Sequence, residues 1–397
     1  MRQLFNYIPP HLVPQVARDT GVDEQARTFS PWSQVVARGD AQLTPSSGLN
    51  DVGDARQLNS GPLSALRGAS PPRRNNRSHA NKVRGAVMAG QLFWAVLDRW
   101  GEVSPRFGSG QAGKRLRRRL KRKIHPVDST TIQPIASGMD WAKHRRRKAA
   151  AKCQVRLDLQ SFLPRFAIVD TARPADAKRA RELGAGIREG AIAILDKAYV
   201  DFGHLWELAA REVIGGTRAK ENLQDTVVGE YAVPAAGKIV ADEGIGLTTP
   251  VSQAKSPEVR RRMVAWGEVD GAERLMEFLT NQLTWSPETV VELYRCRWPI
   301  EGFFKQIKQT LQLADLLGTS ANAVRWQIWT ARPIDRRLRQ VAFLTQWAHS
   351  FSRLFALVRT GLWRQWDLLG LLARYGTAGG SFRYPAHPEQ AYFPGFP

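Results

Sequence analysis

The sequence predicts an α/β fold: a ribonuclease-H-like core with a β-rich insertion, flanked by helical N-terminal and C-terminal regions. Three observations predict it. Residues 124–195 hold three short apolar or alternating segments, then a helical segment, then a fourth apolar segment. That order is the first half of such a core. Between Asp196 and Glu301 come several more short alternating segments, over a stretch longer than two ordinary connections need. Both ends of the chain show helical periodicity. The expected divisions are 1–112, a helical N-terminal region; 113–220, the first half of the core; 221–282, the insertion; 283–330, the second half of the core; and 331–397, a helical region with a flexible tail.

Each element has a local reason. Leu12, Val13, Val16 and Ala17 form one apolar stripe, and Ser30 before Pro31 supplies an N-cap and a first helical position. Residues 45–80 are rich in Ser, Gly, Asn, Pro and Arg, which is loop chemistry. Residues 86–100 return to helical spacing. Residues 124–132 read as a strand with Asp128 inside it, 155–159 as a second strand and 165–170 as a third. Residues 174–183 read as a helix stopped by Gly184. Residues 191–195 read as a buried strand with Asp196 at its C-terminal end, and Asp201 caps the helix that follows. Residues 227–233, 237–241, 262–270 and 274–280 supply the strands of the insertion. Ser286, Pro287 and Glu288 then open a helix, as N-cap, first position and dipole-matched acid. Residues 338–375 are amphipathic, and Phe343, Leu344, Trp347, Phe351, Leu354, Phe355 and Val358 form a stripe expected in the core. Two charged runs, 37–40 and 331–339, interrupt segments that are otherwise apolar.

The formal net charge is +22 and the pI about 10.7, so a polyanionic partner is expected, nucleic acid before membrane. Residues 114–123 carry eight basic side chains in ten, which suits a phosphate-contacting strip, and 143–148 form a second basic run. The N-terminal helical region with its basic loops is expected to bind DNA. No apolar run reaches a membrane-spanning length and no signal peptide is evident. Cys153 and Cys296 have no metal-ligand spacing and are expected reduced and buried.

The chemistry lies in the acids. An acid inside or beside an apolar strand is costly unless it is paired or binds a cation, and Asp128 and Asp196 are so placed. Asp158 and Asp170 compete but read as exposed or turn residues, and His125 reads as structural. Further on, Tyr294, Arg297, Glu301 and Lys308 stand at helical spacing. On one continuous helix they would fall within roughly 60° of one another. Pro299 and Gly302 weaken such a helix unless it restarts with Pro299 at its first position.

This Tyr-Arg-Glu-Lys spacing resembles the Y-(2)-R-(3)-E-(6)-K signature of DDE transposases of the insertion-sequence-four type. Asp128 within Val127-Asp128-Ser129-Thr130, and Asp196 within Leu195-Asp196-Lys197-Ala198-Tyr199-Val200, resemble that family's two catalytic aspartates. Thr217-Arg218-Ala219-Lys220 resembles its basic strand, and residues 322–325 the segment after its glutamate. The resemblance implies a catalytic, metal-binding triad of Asp128, Asp196 and Glu301 holding Mg²⁺, with Mn²⁺ as a substitute. It implies DNA contacts from Tyr294, Arg297, Lys308, Arg218 and Lys220. It further implies double-stranded DNA partners (terminal inverted repeats and target DNA), a homodimer in a synaptic complex, and a bacterial cytoplasmic, nucleoid-associated location. Some relatives stack a flipped base on an aromatic side chain; Trp266 and Trp298 are candidates here, each read first as core. Two alternatives stay open: an impaired copy that only binds DNA, and a ribonuclease-H-like nuclease that cuts without joining.

Overall fold

The computed structural model describes residues 1–22, 29–44, 57–71, 73–103, 114–132, 143–144, 148–149, 151–160, 163–171, 176–269, 271–310, 320–364 and 367–375. Residues 97–328 form one compact unit, and residues 1–96 with 329–397 form the other.

Nine strands of the first unit make one sheet: β1 (Ile124–Ile132), β2 (Ala151–Asp158), β3 (Leu163–Thr171), β4 (Ile192–Leu195), β5 (Ile214–Arg218), β6 (Asp225–Glu230), β7 (Ile239–Leu247), β8 (Arg260–Val269) and β9 (Ala272–Thr280). Their spatial order is β3-β2-β1-β4-β5-β9-β8-β7-β6. β1, β2 and β3 pair antiparallel, whereas β1, β4 and β5 run parallel. Three antiparallel strands continued by two parallel ones constitute the ribonuclease-H-like core expected from sequence. All four residues of β4 are buried, as a strand covered on both faces requires. Its pairing with β1 sets Leu195 beside Val127, so Asp128 and Asp196 follow at the same level of the sheet.

The insertion strands do not form a separate body. β9 pairs antiparallel with β5, with Thr280 opposite Gly216, and so extends the core sheet. Thr280 Oγ1 donates to the Gly215 carbonyl at 2.7 Å, and the Asn281 side chain bonds Gly215 N at 2.7 Å and Val213 O at 3.0 Å. Arg261 on β8 makes a bidentate pair with Asp242 on β7, at 2.7 and 2.5 Å, and reaches the carbonyls of Leu283 and Trp285.

The helices of this unit are α1 (Lys114–Leu120), α2 (Asp176–Gly184), α3 (Phe202–Ala210), α4 (Pro250–Lys255), α5 (Pro287–Arg295), α6 (Pro299–Thr310) and α7 (Ala321–Leu344), which continues into the other unit. Asp201 caps α3 by accepting from His204 N at 2.8 Å. Ser286 precedes α5 but its hydroxyl bonds Thr289 Oγ1 at 2.9 Å and caps no backbone N–H. α1 buries Leu116 and leaves basic side chains of the expected phosphate strip outside: Arg118, Arg119, Lys121, Arg122 and Lys123 are exposed, although Arg119 also bonds Thr289 at 2.8 Å and Arg122 the Gly190 carbonyl at 2.7 Å. Cys153 and Cys296 are buried free thiols.

The other unit is helical and corrects three expectations. Residues Arg74–Val83, within the stretch read as loop, form a helix whose buried Asn81 accepts from Arg38 at 2.5 Å. The runs 37–40 and 331–339 do not break their helices. Pro31–Leu43 is continuous, begun by Ser30 accepting from Ser33 N at 3.0 Å, and α7 passes through Pro333. Their charges are buried instead: Arg332 lies 4.9 Å from the Trp329 ring centroid and 5.7 Å from that of Phe93, and Arg339 pairs with Asp335 at 2.9 Å. Phe343 and Leu344, expected in the core, are exposed, because α7 ends there and the next helix, Phe351–Thr360, buries Leu354, Phe355 and Val358. Gly39 is required by close packing, since a Cβ there would lie 2.2 Å from the Phe5 ring and 3.2 Å from Ile334. Gly39→Ala is expected to lower stability by about 1–3 kcal/mol, as overpacking does, with chemical denaturation as the measurement. Residues 311–319 and the tail beyond Tyr375 lie outside the described residues, as do Arg145, Arg146 and Arg147. No helix among the described residues is long and apolar enough to cross a membrane.

Candidate active site

Three elements deliver acids to one point. β1 carries Asp128, β4 ends immediately before Asp196, and α6 carries Glu301 in its first turn. The segment is two helices, with the restart at Pro299 that the sequence allowed. α5 ends at Arg295, and i to i−3 hydrogen bonds carry the chain through Cys296, Arg297 and Trp298 before α6 restarts at Pro299. Pro299 thus takes the first helical position, where its missing N–H costs nothing. Gly302 is exposed on α6, and a Cβ added there would meet nothing within 4 Å.

Arg297, in that turn, joins the acids. Its Nη1 donates to Asp128 Oδ2 at 2.5 Å, its Nη2 to Glu301 Oε1 at 2.7 Å, and Nη2 lies 3.7 Å from Asp196 Oδ1. The remaining oxygens of the two aspartates are held by backbone. Asp128 Oδ1 accepts from Ser129 N at 2.7 Å, and Asp196 Oδ2 accepts from Ala198 N at 3.2 Å. Burial decreases outward, with side-chain exposures of 12% for Asp128, 27% for Asp196 and 56% for Glu301. Among the described residues no group of three or more His, Cys, Asp or Glu side chains is arranged to hold a metal, and the guanidinium stands between these three acids.

Burial drives the Asp128 carboxyl up to about 6, against the pull of Arg297 and the Ser129 N–H, and the charges of Asp196 and Glu301 add to the rise. Burial opposes charge on Arg297, but Tyr294 and the three acids outweigh it and hold its pKa above the ordinary value. The raised Asp128 pKa means that the folded chain binds the proton more tightly than the unfolded chain. The neutral carboxyl is therefore favourable at low pH, and that contribution is lost as pH rises through about 6. In chelator, Asp128→Asn is expected to become more stable relative to the parent as pH rises from about 4 to about 7, which paired thermal melts would detect. A stability difference independent of pH would contradict this.

Tyr294 is buried, its ring 5.2 Å from that of Phe278 and 5.6 Å from the Arg297 guanidinium carbon. Burial pushes its hydroxyl up to about 12. Arg218 ends β5, next in the sheet to the strand that delivers Asp196. Lys220 donates to the Val200 carbonyl at 2.9 Å. Lys308 is on α6, with its side chain outside the described residues. His125 is structural as expected: it is buried, its Nδ1 is 3.2 Å from the Leu157 carbonyl, and burial lowers its pKa. Asp158, expected to be exposed or in a turn, instead ends β2 and is buried, accepting from Gln160 N at 2.8 Å and pairing with Arg165 at 3.2 Å. The Asp170 side chain lies outside the described residues. Trp266 and Trp298 are not core, being 41% and 42% exposed. Sequence reasoning missed Asp176, a buried acid beside β1 and β2 that accepts from Lys152 at 2.7 Å and Gln154 at 2.9 Å. Only a cross-strand register could have shown it.

Comparison with known proteins bears on this arrangement. Residues 119–332 match the family model described as a transposase DDE domain. A Sinorhizobium fredii protein named as a transposase is 30% identical over 266 residues, covering 66% of this chain and 73% of that protein. A Geobacillus stearothermophilus protein named as a transposase for an insertion sequence element is 26% identical over 216 residues, covering 54% and 55%. The solved structure of a piggyBac transposase synaptic complex with hairpin DNA aligns over 98% of this chain and 87% of that chain, at 8% identity and a TM-score of 0.43.

Proposed function

Because the chain belongs to the transposase DDE domain family, we propose that it cuts the ends of an insertion sequence and joins them to target DNA, using Asp128, Asp196 and Glu301. The family makes it a transposase, an enzyme that acts on DNA. The observation that carries the assignment of the triad is the convergence of three distant carboxylates on one guanidinium.

The donor set fits a hard divalent cation, Mg²⁺ or Mn²⁺, because it consists of carboxylate oxygens drawn to one cationic group. Asp128, Asp196 and Glu301 would hold it, and when bound it supplies activation of the attacking oxygen and stabilisation of the leaving one. The protein's own contribution is positional. The N–H groups of Ser129 and Ala198 fix the rotamers of the two aspartates. Glu301, the most exposed acid, closes the site from the helix side. Arg297, Arg218, Lys220 and Lys308 supply cations for the phosphates around the scissile bond. Exposed Arg118, Lys121 and Lys123 on and after α1 extend the attraction along the backbone. Terminal inverted repeats are the proposed recognition sequence, and a homodimer the proposed assembly that brings two ends together.

The test is incubation of the chain with Mg²⁺ and DNA carrying the element's ends. Cleavage at the ends followed by joined product supports the proposal. Cleavage without joining indicates a nuclease, and salt-sensitive binding with no cleavage indicates a DNA binder; either would overturn it.

A further inference from the structure

The Arg297 bridge has a feature that phosphate binding does not require. It occupies the particular oxygens that a cation would need. Asp128 has one oxygen on the Ser129 N–H and the other on Arg297. Asp196 has one oxygen on the Ala198 N–H and the other facing Arg297. Neither aspartate offers a second outward oxygen without giving up its backbone anchor. Glu301 turns Oε1 to the same guanidinium.

The position is also costly for a cation. The Arg297 side chain is only 9% exposed, so the guanidinium is largely removed from water. Without a cation the three acids would repel one another across the same small space. The guanidinium and the carboxylates therefore hold each other in place.

We infer that Arg297 is a built-in counter-cation, a positioning residue that keeps the three acids assembled until a divalent cation takes the same oxygens and displaces it. This rests on the triad proposed above. The displaced guanidinium is then free to meet DNA phosphate, so cation binding and DNA binding reinforce each other. Linkage requires the reverse as well, since whatever draws Arg297 away tightens cation binding by the same factor.

The experiment is a calorimetric Mn²⁺ titration of the full chain without DNA, for the parent, Arg297→Gln, Arg297→Lys and Glu301→Ala. Arg297→Gln is expected to bind Mn²⁺ roughly tenfold more tightly than the parent, although it cleaves DNA less well. Arg297→Lys, whose single ammonium cannot span three carboxylates, is expected to fall between them. It carries the comparison alone if the glutamine variant does not fold. Addition of a double-stranded DNA fragment to the parent is expected to tighten its Mn²⁺ binding. Equal or weaker Mn²⁺ binding by the folded Arg297 variants would overturn the inference. Glu301→Ala separates the two levels: Mn²⁺ binding undiminished there would instead overturn the triad.

Discussion

Glu301→Ala is expected to abolish metal-dependent strand cleavage, by a thousandfold or more on the order seen when a group stabilising the transition state is lost. The same change should leave DNA binding and folding almost intact. Glu301 is more than half exposed, so its truncation opens no cavity. Its close polar partner among the described residues, Arg297, keeps Asp128. The cations that attract DNA are other residues, and removing an acid from a chain of net charge +22 does not weaken that attraction. Cleavage of end-bearing DNA and filter binding of the same DNA, measured side by side, check both halves. Cleavage within about tenfold of the parent would remove Glu301 from the mechanism.

Asp242→Ala is expected to be the most damaging change to the fold outside the site. Asp242 and Arg261 are essentially without solvent contact, with side-chain exposures of 0% and 4%. Removing the carboxylate leaves a buried guanidinium uncompensated, at about 3–5 kcal/mol. The loss falls where the insertion strands join the segment before α5, because Arg261 also binds the Leu283 and Trp285 carbonyls. In a unit of this size the melting temperature should drop on the order of 10 °C. Truncating both partners should not restore it fully, since those carbonyls would still lose their donor. Denaturant titration of the single variant tests this, and a loss below about 1 kcal/mol would contradict it.

How far the sequence could be read follows from which signals are local. The strand at 124–132, the buried strand ending before Asp196, the cap at Ser30 and the restart at Pro299 all follow from short-range chemistry, and each was legible. The charged runs were misleading because hydropathy treats arginine as a surface residue. Arg332 is buried by stacking on Trp329 and Phe93, and Arg38 by bonding Asn81, arrangements that no local pattern encodes. Trp266 and Trp298 erred the other way, since aromatic character suggests burial and only the folded sheet and turn leave them outside. At the site, spacing placed Arg297 and Glu301 together, four residues apart. Strand position marked Asp128 and Asp196. That all three acids meet on Arg297 depends on the parallel pairing of β1 with β4 and on the turn before α6, neither of which the spacing contains.

The central claim is that residues 128, 196 and 301 share one cation site, and Fe²⁺-directed backbone cleavage addresses it most directly. With Fe²⁺, ascorbate and peroxide, a bound ion cuts the chain nearest its own ligands. The account predicts three sets of cuts, beside Asp128, Asp196 and Glu301, all suppressed by excess Mg²⁺. Cuts confined to other segments, or cuts at these three that Mg²⁺ leaves untouched, would contradict it.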